Sequence, residues 1–245
     1  MISVCMASYN GEAFIREQVQ SILSEISVSD ELIVSDDGSN DKTVSILRSI
    51  DDPRLKVITN NRGSGVTANF ENVIAAAKGS YIFLSDQDDV WLPGRVQKSI
   101  ELLSSYDLVV CDAVVVDQHL DPILNSAFSI RGVGNGFWSN FFRIRYLGCC
   151  MAFRRELLLD ILPFPQNHKL ITHDSWIALV GELFHRTYVL RNPYVLYRRH
   201  GGNLSEGGWQ SSNTLYQKLM IRIYGAFCLA RLGLRKLFFE RVKVR

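Results

Sequence analysis

The sequence predicts an α/β fold: a mostly parallel sheet with helices on both faces, followed by a helical C-terminal tail. Two observations carry this. Short apolar runs alternate with segments of helical periodicity through the first hundred or so residues. The runs are apolar throughout, as strands covered on both faces must be. The length of 245 residues fits one such domain, with room for a short appendage.

Residues 2–7 read as the first strand, closed by Ser8-Tyr9-Asn10-Gly11, and a helix follows over 12–26. Residues 31–35 form the second strand, broken by Asp37-Gly38-Ser39. Ser39 or Asn40 is expected to cap the next helix, which runs to about residue 50. The third strand is 55–59 and the third helix 67–77, with Gly79 ending it as a C′ glycine. The fourth strand is 81–84. After Pro93 the pattern loosens: a helix over 95–104, strands over 108–111 and 114–116, and a glycine-rich loop over 131–136. A buried strand over 147–153, a helix over 174–183 and short strands over 188–190 and 195–197 come next. A polar, glycine-rich loop spans 198–212, and a helical tail starts near 214.

Formal net charge is +2, but it is unevenly spread. Residues 211–245 hold eight Lys or Arg and one Glu, so the tail carries +7 and the body −5. A uniformly basic nucleic-acid binder is excluded. A basic, apolar tail on a mildly acidic body predicts docking on an anionic membrane surface. Around such a helix Arg231 falls on roughly the opposite face from Arg222, and Gly225 and Gly233 are expected to break the helix into pieces. The five cysteines form no CxxC pair, and most sit in apolar runs, which predicts buried thiols in a reducing compartment. The N-terminus opens on a strand without a secretory leader pattern, and no apolar run is long enough for a membrane span. The expected location is cytoplasmic, peripheral on the inner face of the plasma membrane.

In parallel sheets, ligands bind beyond the carboxyl ends of the strands, so the turns there carry the chemistry. Ser85-Asp86-Gln87-Asp88-Asp89 follows the fourth strand directly. Three carboxylates in four residues repel one another and favour a hard cation such as Mg²⁺ or Mn²⁺. A metal shared with a diphosphate would offset both charges. A solvated acidic turn has the same composition, but its position after an apolar strand and before Trp91-Leu92-Pro93 favours a site. Asp36-Asp37-Gly38-Ser39 follows the second strand, where a carboxylate can accept from a base imide or a ribose hydroxyl. Gly63 and Gly65 precede the third helix and would let backbone approach a ligand, or simply form a flexible loop.

The runs SVCMASYNG, IVSDDGSNDKT and NRGSGVTANFENVIAAAKGSYIFLSDQDDVWLP resemble the family 2 glycosyltransferases, in that family's order and spacing. THDSWIALV and YRRHGGNLS resemble its subgroup of bacterial rhamnosyltransferases of surface polysaccharide assembly. The resemblance implies a GT-A fold and an inverting transfer from a nucleoside diphosphate sugar. It implies a domain over 1–210, with a nucleotide-sugar half (1–106) and an acceptor half (107–210), ahead of the tail at 211–245. It implies that Asp36 contacts base or ribose, with Ser8, Asn10 and Asp37 lining the same subsite. Asp86 and Asp88 match the family's DxD element: Asp88 binds the metal, and Asp86 holds ribose or metal-bound water. Asp174 matches the catalytic base, where His173 stands in place of the family's usual Glu. Beyond these, His200 in a glycine-rich loop is placed to complete the metal shell. Arg198 or Arg199 is placed to touch phosphate. L-rhamnose from a deoxythymidine diphosphate donor and a lipid-linked glycan acceptor are the expected substrates, with a UDP-hexose as the alternative donor. A sugar nucleotidyltransferase is a rival reading, but it would show a glycine-rich loop with a basic residue after the first strand. A non-catalytic nucleotide-sugar binding module is another, and it has no need of Asp174.

Overall fold

The computed structural model describes residues 1–134, 136–143, 145–201, 203 and 213–243, with side chains to 238. The first half is β1 (Ile2–Ser8), α1 (Ile15–Leu23), β2 (Glu31–Asp36), α2 (Thr43–Arg48), β3 (Leu55–Thr59), α3 (Val66–Ala76) and β4 (Tyr81–Ser85). The second half begins with β5 (Val90–Trp91), α4 (Arg95–Leu103), β6 (Leu108–Val116), β7 (Pro122–Leu124), α5 (Ala127–Arg131) and α6 (Phe137–Phe142). It continues with β8 (Met151–Arg154), α7 (Leu158–Ile161), α8 (His173–Phe184), β9 (Thr187–Arg198) and α9 (Leu215–Lys243). The strands form one sheet in the order β3-β2-β1-β4-β8-β6-β9-β5, with β7 paired to β6. The first four strands are parallel; β8 runs antiparallel between β4 and β6. The fold is the expected α/β architecture.

Register shows why β1 is buried along its whole length. Cys5 lies level with Leu84, and its thiol donates to the Val73 carbonyl of α3. Met6 points the other way, level with Ser85, whose hydroxyl accepts from Gln18 of α1. Helices therefore cover both faces, and β1 needs apolar residues at nearly every position. Chain order reverses at β1, with β2 on one side and β4 on the other. That is the switch point at which open α/β sheets bind ligands.

Several local expectations are corrected. Neither Ser39 nor Asn40 caps α2: the Asp41 carboxylate accepts from Thr43 N–H at 2.9 Å, and the Ser39 hydroxyl is engaged by Asn10 N–H and by Asp36. Gly79 is not a left-handed C′ residue. It is glycine because backbone crosses it: a Cβ there would lie 2.5 Å from Ser3 N and 2.7 Å from Ile2 C. Residues 108–116 form one strand, and 187–198 form one strand beside it that bulges opposite Asp112. The Asp112 carboxylate turns inward and accepts from Ala113 N, Phe128 N and Ser126 Oγ, stitching β6 to α5. Residues 148–150 are a 3-10 turn, not strand, and the Cys149 carbonyl accepts from the buried Arg95 instead of a ladder partner. The tail is a single helix. Gly225 and Gly233 sit on its packed face beside Ile171 and Phe184, where packing outweighs their helix cost of about 1 kcal/mol each. The boundary between 210 and 211, and most of the 198–212 loop, lie outside the described residues. No helix of the described residues is long and apolar enough to cross a membrane.

The Gly79 crossing gives a stability test. Gly79→Ala should lower stability by about 1–3 kcal/mol, since the obstruction is backbone and cannot swing away. Chemical denaturation of the two proteins measures it, and an unchanged midpoint would show that the crossing relaxes at no cost.

Candidate functional site

The turns after β1, β2 and β4 are bonded to one another. Gln87, inside the acidic run, pairs its amide with the Tyr9 backbone: its Oε1 accepts from Tyr9 N and its Nε2 donates to Tyr9 O, both at 2.9 Å. Gly11 makes this possible, because a Cβ there would lie 2.3 Å from Gln87 Oε1. Gln18 Nε2 donates to Ser85 Oγ and to the Asp86 carbonyl, anchoring the start of the acidic run to α1.

Asp36 organises the second turn. Its Oδ1 accepts from Gly38 N and Ser39 N, and its Oδ2 from Ser8 Oγ and Ser39 Oγ. Each oxygen thus has two internal donors. Asn10, in the left-handed region at φ 49°, accepts from Asn40 N and donates its own N–H to Ser39 Oγ. Asp37 reaches the other way, accepting from Asn60 Nδ2 and Gly65 N at 2.7 Å each. Ser8, Asn10, Asp36 and Asp37 therefore form one connected rim, and the Gly63–Gly65 segment is tied to it.

The acidic run is braced from β9. Arg198 is buried and donates its backbone N–H to Asp89 Oδ1, Nε to the Asp88 carbonyl, Nη1 to the Gln118 carbonyl and Nη2 to Glu17. Its guanidinium also lies over Phe14, 4.6 Å from the ring centre. Each nitrogen of the Arg198 guanidinium thereby has a partner, and its charge is held beneath the acidic run. His200 follows two residues on. Its Nε2 lies 2.9 Å from Asp88 Oδ2, its ring packs on Phe14, and Asn203 Nδ2 donates to the same Asp88 oxygen at 3.2 Å.

Asp174 sits in the first turn of α8, after the N-cap residue Thr172, where helix N–H groups favour a carboxylate. Its Oδ1 accepts from Ser175 N at 2.7 Å and from the Thr172 hydroxyl. It also lies within electrostatic reach of the acidic run. Burial, then the Asp88 and Asp174 carboxylates, push the Asp86 carboxyl up to about 7. Burial, then Asp88 and Asp86, push Asp89 well above the usual carboxylate range. His173 is buried, stacked 4.0 Å from the Phe70 ring, and neither ring nitrogen has a hydrogen-bond partner. Burial lowers its pKa, so the imidazole is held neutral.

This donor set fits a divalent cation. Asp89 Oδ2 is buried without a partner, and crowded carboxylates driven towards protonation are what a dication would relieve. Asp86 faces two groups. Inward, its carboxylate, Asp89 and the Cys149 thiol have ligand atoms within 4.8 Å of one another. The Cys149 thiol is pushed well above its ordinary pKa, and a protonated thiol is a poor ligand for a hard ion. Outward, the acidic run offers Asp88, with His200 beside it.

Residues 3–162 match the family described as Glycosyl transferase family 2, well over half of the chain. The chain belongs to glycosyl transferase family 2. Among curated family relatives, it is 28% identical over 211 residues to a dTDP-rhamnosyl transferase of Shigella flexneri, covering 81% of this chain and 72% of that one. It is 30% identical over 191 residues to a UDP-Glc:alpha-D-GlcNAc-diphosphoundecaprenol beta-1,3-glucosyltransferase of Escherichia coli, covering 74% and 70%. Solved structures show the same fold. The S. aureus TarS structure in complex with UDP-GlcNAc superposes with a TM-score of 0.68 at 18% identity, over 91% of this chain and 66% of that one. A Pyrobaculum calidifontis mannosyltransferase with GDP-Man and Mn²⁺ superposes with a TM-score of 0.58 at 16% identity, over 99% and 79%. The fold is therefore GT-A, and the enzyme is a glycosyltransferase using a sugar-nucleotide donor.

Sequence reading missed the bracing residues. Gln18, Gln87 and Asn203 are amides without a spacing signature, and Glu17 looks like any surface helix residue. The one available signal was Gly11, a glycine too close to Gln87 of the acidic run to carry a side chain. Asp88→Ala should abolish transfer and sharply weaken nucleoside diphosphate binding in the presence of Mg²⁺ or Mn²⁺. Calorimetry with and without chelator reads this, and full metal-dependent binding by that variant would remove Asp88 from the metal shell.

Proposed function

We propose that this glycosyltransferase is inverting and metal-dependent, and that it moves L-rhamnose from a deoxythymidine diphosphate donor to a hydroxyl of a growing, lipid-linked bacterial surface polysaccharide. What supports the reading is the crowding of Asp86 and Asp88 in the turn after β4, at the switch point of the sheet, with the Asp174 carboxylate adding to the pressure on Asp86. The Shigella flexneri relative supports rhamnose, and the Escherichia coli relative's diphosphoundecaprenol acceptor supports a lipid-linked one.

In this reading Ser8, Asn10, Asp36 and Asp37 form the nucleotide rim. Asp86 and Asp88, with His200, hold Mg²⁺ or Mn²⁺, which supplies positive charge beside the donor's diphosphate. Arg198 holds the acidic loop in place and adds a fixed cation beneath it. Asp174 takes the acceptor hydroxyl's proton as that oxygen attacks the anomeric carbon from the face opposite the departing diphosphate. The sugar passes through an oxocarbenium-like state, so inversion needs one base and one stabilised leaving group. His173, neutral and wedged between Phe70 and Gly148, holds the start of α8 in position.

The protein would meet its acceptor at an anionic membrane surface through α9. Tyr216, Leu219, Ile223, Phe227, Leu234 and Phe238 recur at helical spacing and are all exposed, forming a stripe opposite the packed face. Arg222 and Arg231 flank it, which suits anionic head groups.

Three measurements test these claims. Asp174→Asn keeps the side chain's size, so donor affinity should survive while single-turnover transfer falls about 10²–10⁴-fold; transfer within a few-fold of wild type would place the base elsewhere. A donor screen should show turnover with deoxythymidine diphosphate rhamnose, whereas turnover only with a UDP-hexose would remove the rhamnose assignment and leave the class intact. Replacing Ile223 and Phe227 by Ser should weaken sedimentation with anionic vesicles at low salt, where such attraction is strongest. Indifference of the unmodified protein to those vesicles would end the membrane claim.

A further inference from the structure

Beside the outward stripe of α9 lies a groove between α6, α8 and α9, with a cavity volume of about 410 Å³. Its floor is the α9 side, where buried Leu229 lies beside the small residues Ala226, Ala230 and Gly233, which share one face at i, i+4 and i+7. Its walls are rings: Trp138 and Phe141 from α6 and Phe184 from the end of α8. Among the described residues, no charged side chain lines it. Trp138 is 67% exposed although it is the largest wall residue, so the groove opens to the outside over an apolar lip.

We propose that this groove binds the hydrocarbon chain of the lipid-linked acceptor. The inference rests on the proposed acceptor class and adds to it the place where the chain is held. Shape is the first argument. Three small residues on one helix face leave room for a chain beside the aromatic walls, which supply apolar contact along it. Position is the second. Helix α8 carries Asp174 in its first turn and Leu183 and Phe184 in its last, about 14 Å away along the axis. One helix thus connects the candidate base to the groove, leaving the glycan and diphosphate of an acceptor to span the interval. Charge is the third. Arg222 on α9 donates to the Phe142 carbonyl at the end of α6, which puts a cation at the border of an otherwise apolar slot, as an anionic diphosphate next to a hydrocarbon chain requires. The groove also adjoins the stripe proposed to face the membrane, so a chain could enter it without crossing water.

The test uses geranylgeranyl phosphate as probe, with calorimetry in dilute detergent. The variants Gly233→Leu and Ala230→Phe fill the floor. Modest accommodation is available at Gly233, where a Cβ would sit 3.8 Å from Phe184 Cζ, an ordinary contact. Trp138→Ala, at an exposed position, removes a wall without loading the core and serves if either filler fails to fold. Wild type should bind the probe, and each variant should lose about tenfold or more in affinity, the loss expected from giving up contact with only a few methylene groups. In transfer assays the same variants should erase the KM advantage of a long-chain over a short-chain diphosphate-linked acceptor. Absence of probe binding by wild type, or equal binding by the fillers, overturns the proposal. Fillers that weaken vesicle sedimentation but leave probe binding intact would assign the groove to bilayer acyl chains. A dimer that dissociates when the groove is filled would assign it to a second copy. Either result overturns it as well. If the fillers abolish probe binding while no lipid-linked acceptor of any length is glycosylated, the groove's ligand class stands and the proposed acceptor falls.

Discussion

Like charges held close in a partly buried place are the constraint around which this molecule is arranged. Asp86, Asp88 and Asp89 follow one another on a short loop, and Asp174 approaches from a different part of the chain. Left alone, such a group would splay apart or take up protons, and the raised pKa of Asp86 and Asp89 expresses that tendency. The loop keeps its shape because neutral and cationic donors hold its backbone as well as carboxylate oxygens of Asp88 and Asp89. Arg198 grips the Asp88 carbonyl, Gln18 the Asp86 carbonyl, and Gln87 turns outward to pair with Tyr9. The buried Arg95 guanidinium, packed on Trp91 and bonded to the Leu84 and Cys149 carbonyls, adds positive charge behind the loop. Because much of the assembly rests on the backbone, the second carboxylate oxygen of Asp89 is left without an internal partner.

The two halves of the chain meet through this loop. The parallel half delivers three turns to one edge of the sheet. The second half threads β8 antiparallel beside β4, then brings β6 and β9 alongside, so that the end of β9 returns to the acidic run. Arg198, the last residue of that strand, thereby touches α1, the acidic loop and the segment after β6 at once. His200 and Asn203 are carried in as consequences of that return. A site assembled from both ends of the sequence in this way is complete only when the whole sheet has formed.

Much of this was readable in the chain, for identifiable reasons. β1, β2 and β4 are sandwiched between helix layers, so their apolar runs have no competing interpretation. β6 and β9 read as two pieces each because the polar Asp112 sits opposite a bulge of β9 that exposes Arg191 and Asn192, which interrupts the apolar pattern without ending the ladder. The 3-10 turn at 148–150 was invisible because its cause, the Arg95 side chain, lies more than fifty residues away. In the site, clustered Asp residues announce themselves, and His200 stood out in a glycine-rich loop that the structure brings to Asp88. The amide residues that hold the loop did not stand out, since a Gln satisfying a backbone carbonyl leaves no periodic trace. The tail's helix was visible, but its glycines pointed to breaks, and only the contacts with Ile171 and Phe184 explain why it runs through them.

Helix α9 also governs how this protein should behave in plain buffer. A helix with one apolar face against the body and another facing out cannot satisfy both in water by folding alone. Formal charge does little to keep copies apart, because +2 is small and is divided between a cationic helix and an anionic remainder. Copies can therefore approach with unlike ends facing, and the stripe then offers each a dry surface. Colloidal stability should rise with salts that screen the first attraction and with mild amphiphiles that coat the second, so handling conditions would themselves report on the outer face of this helix.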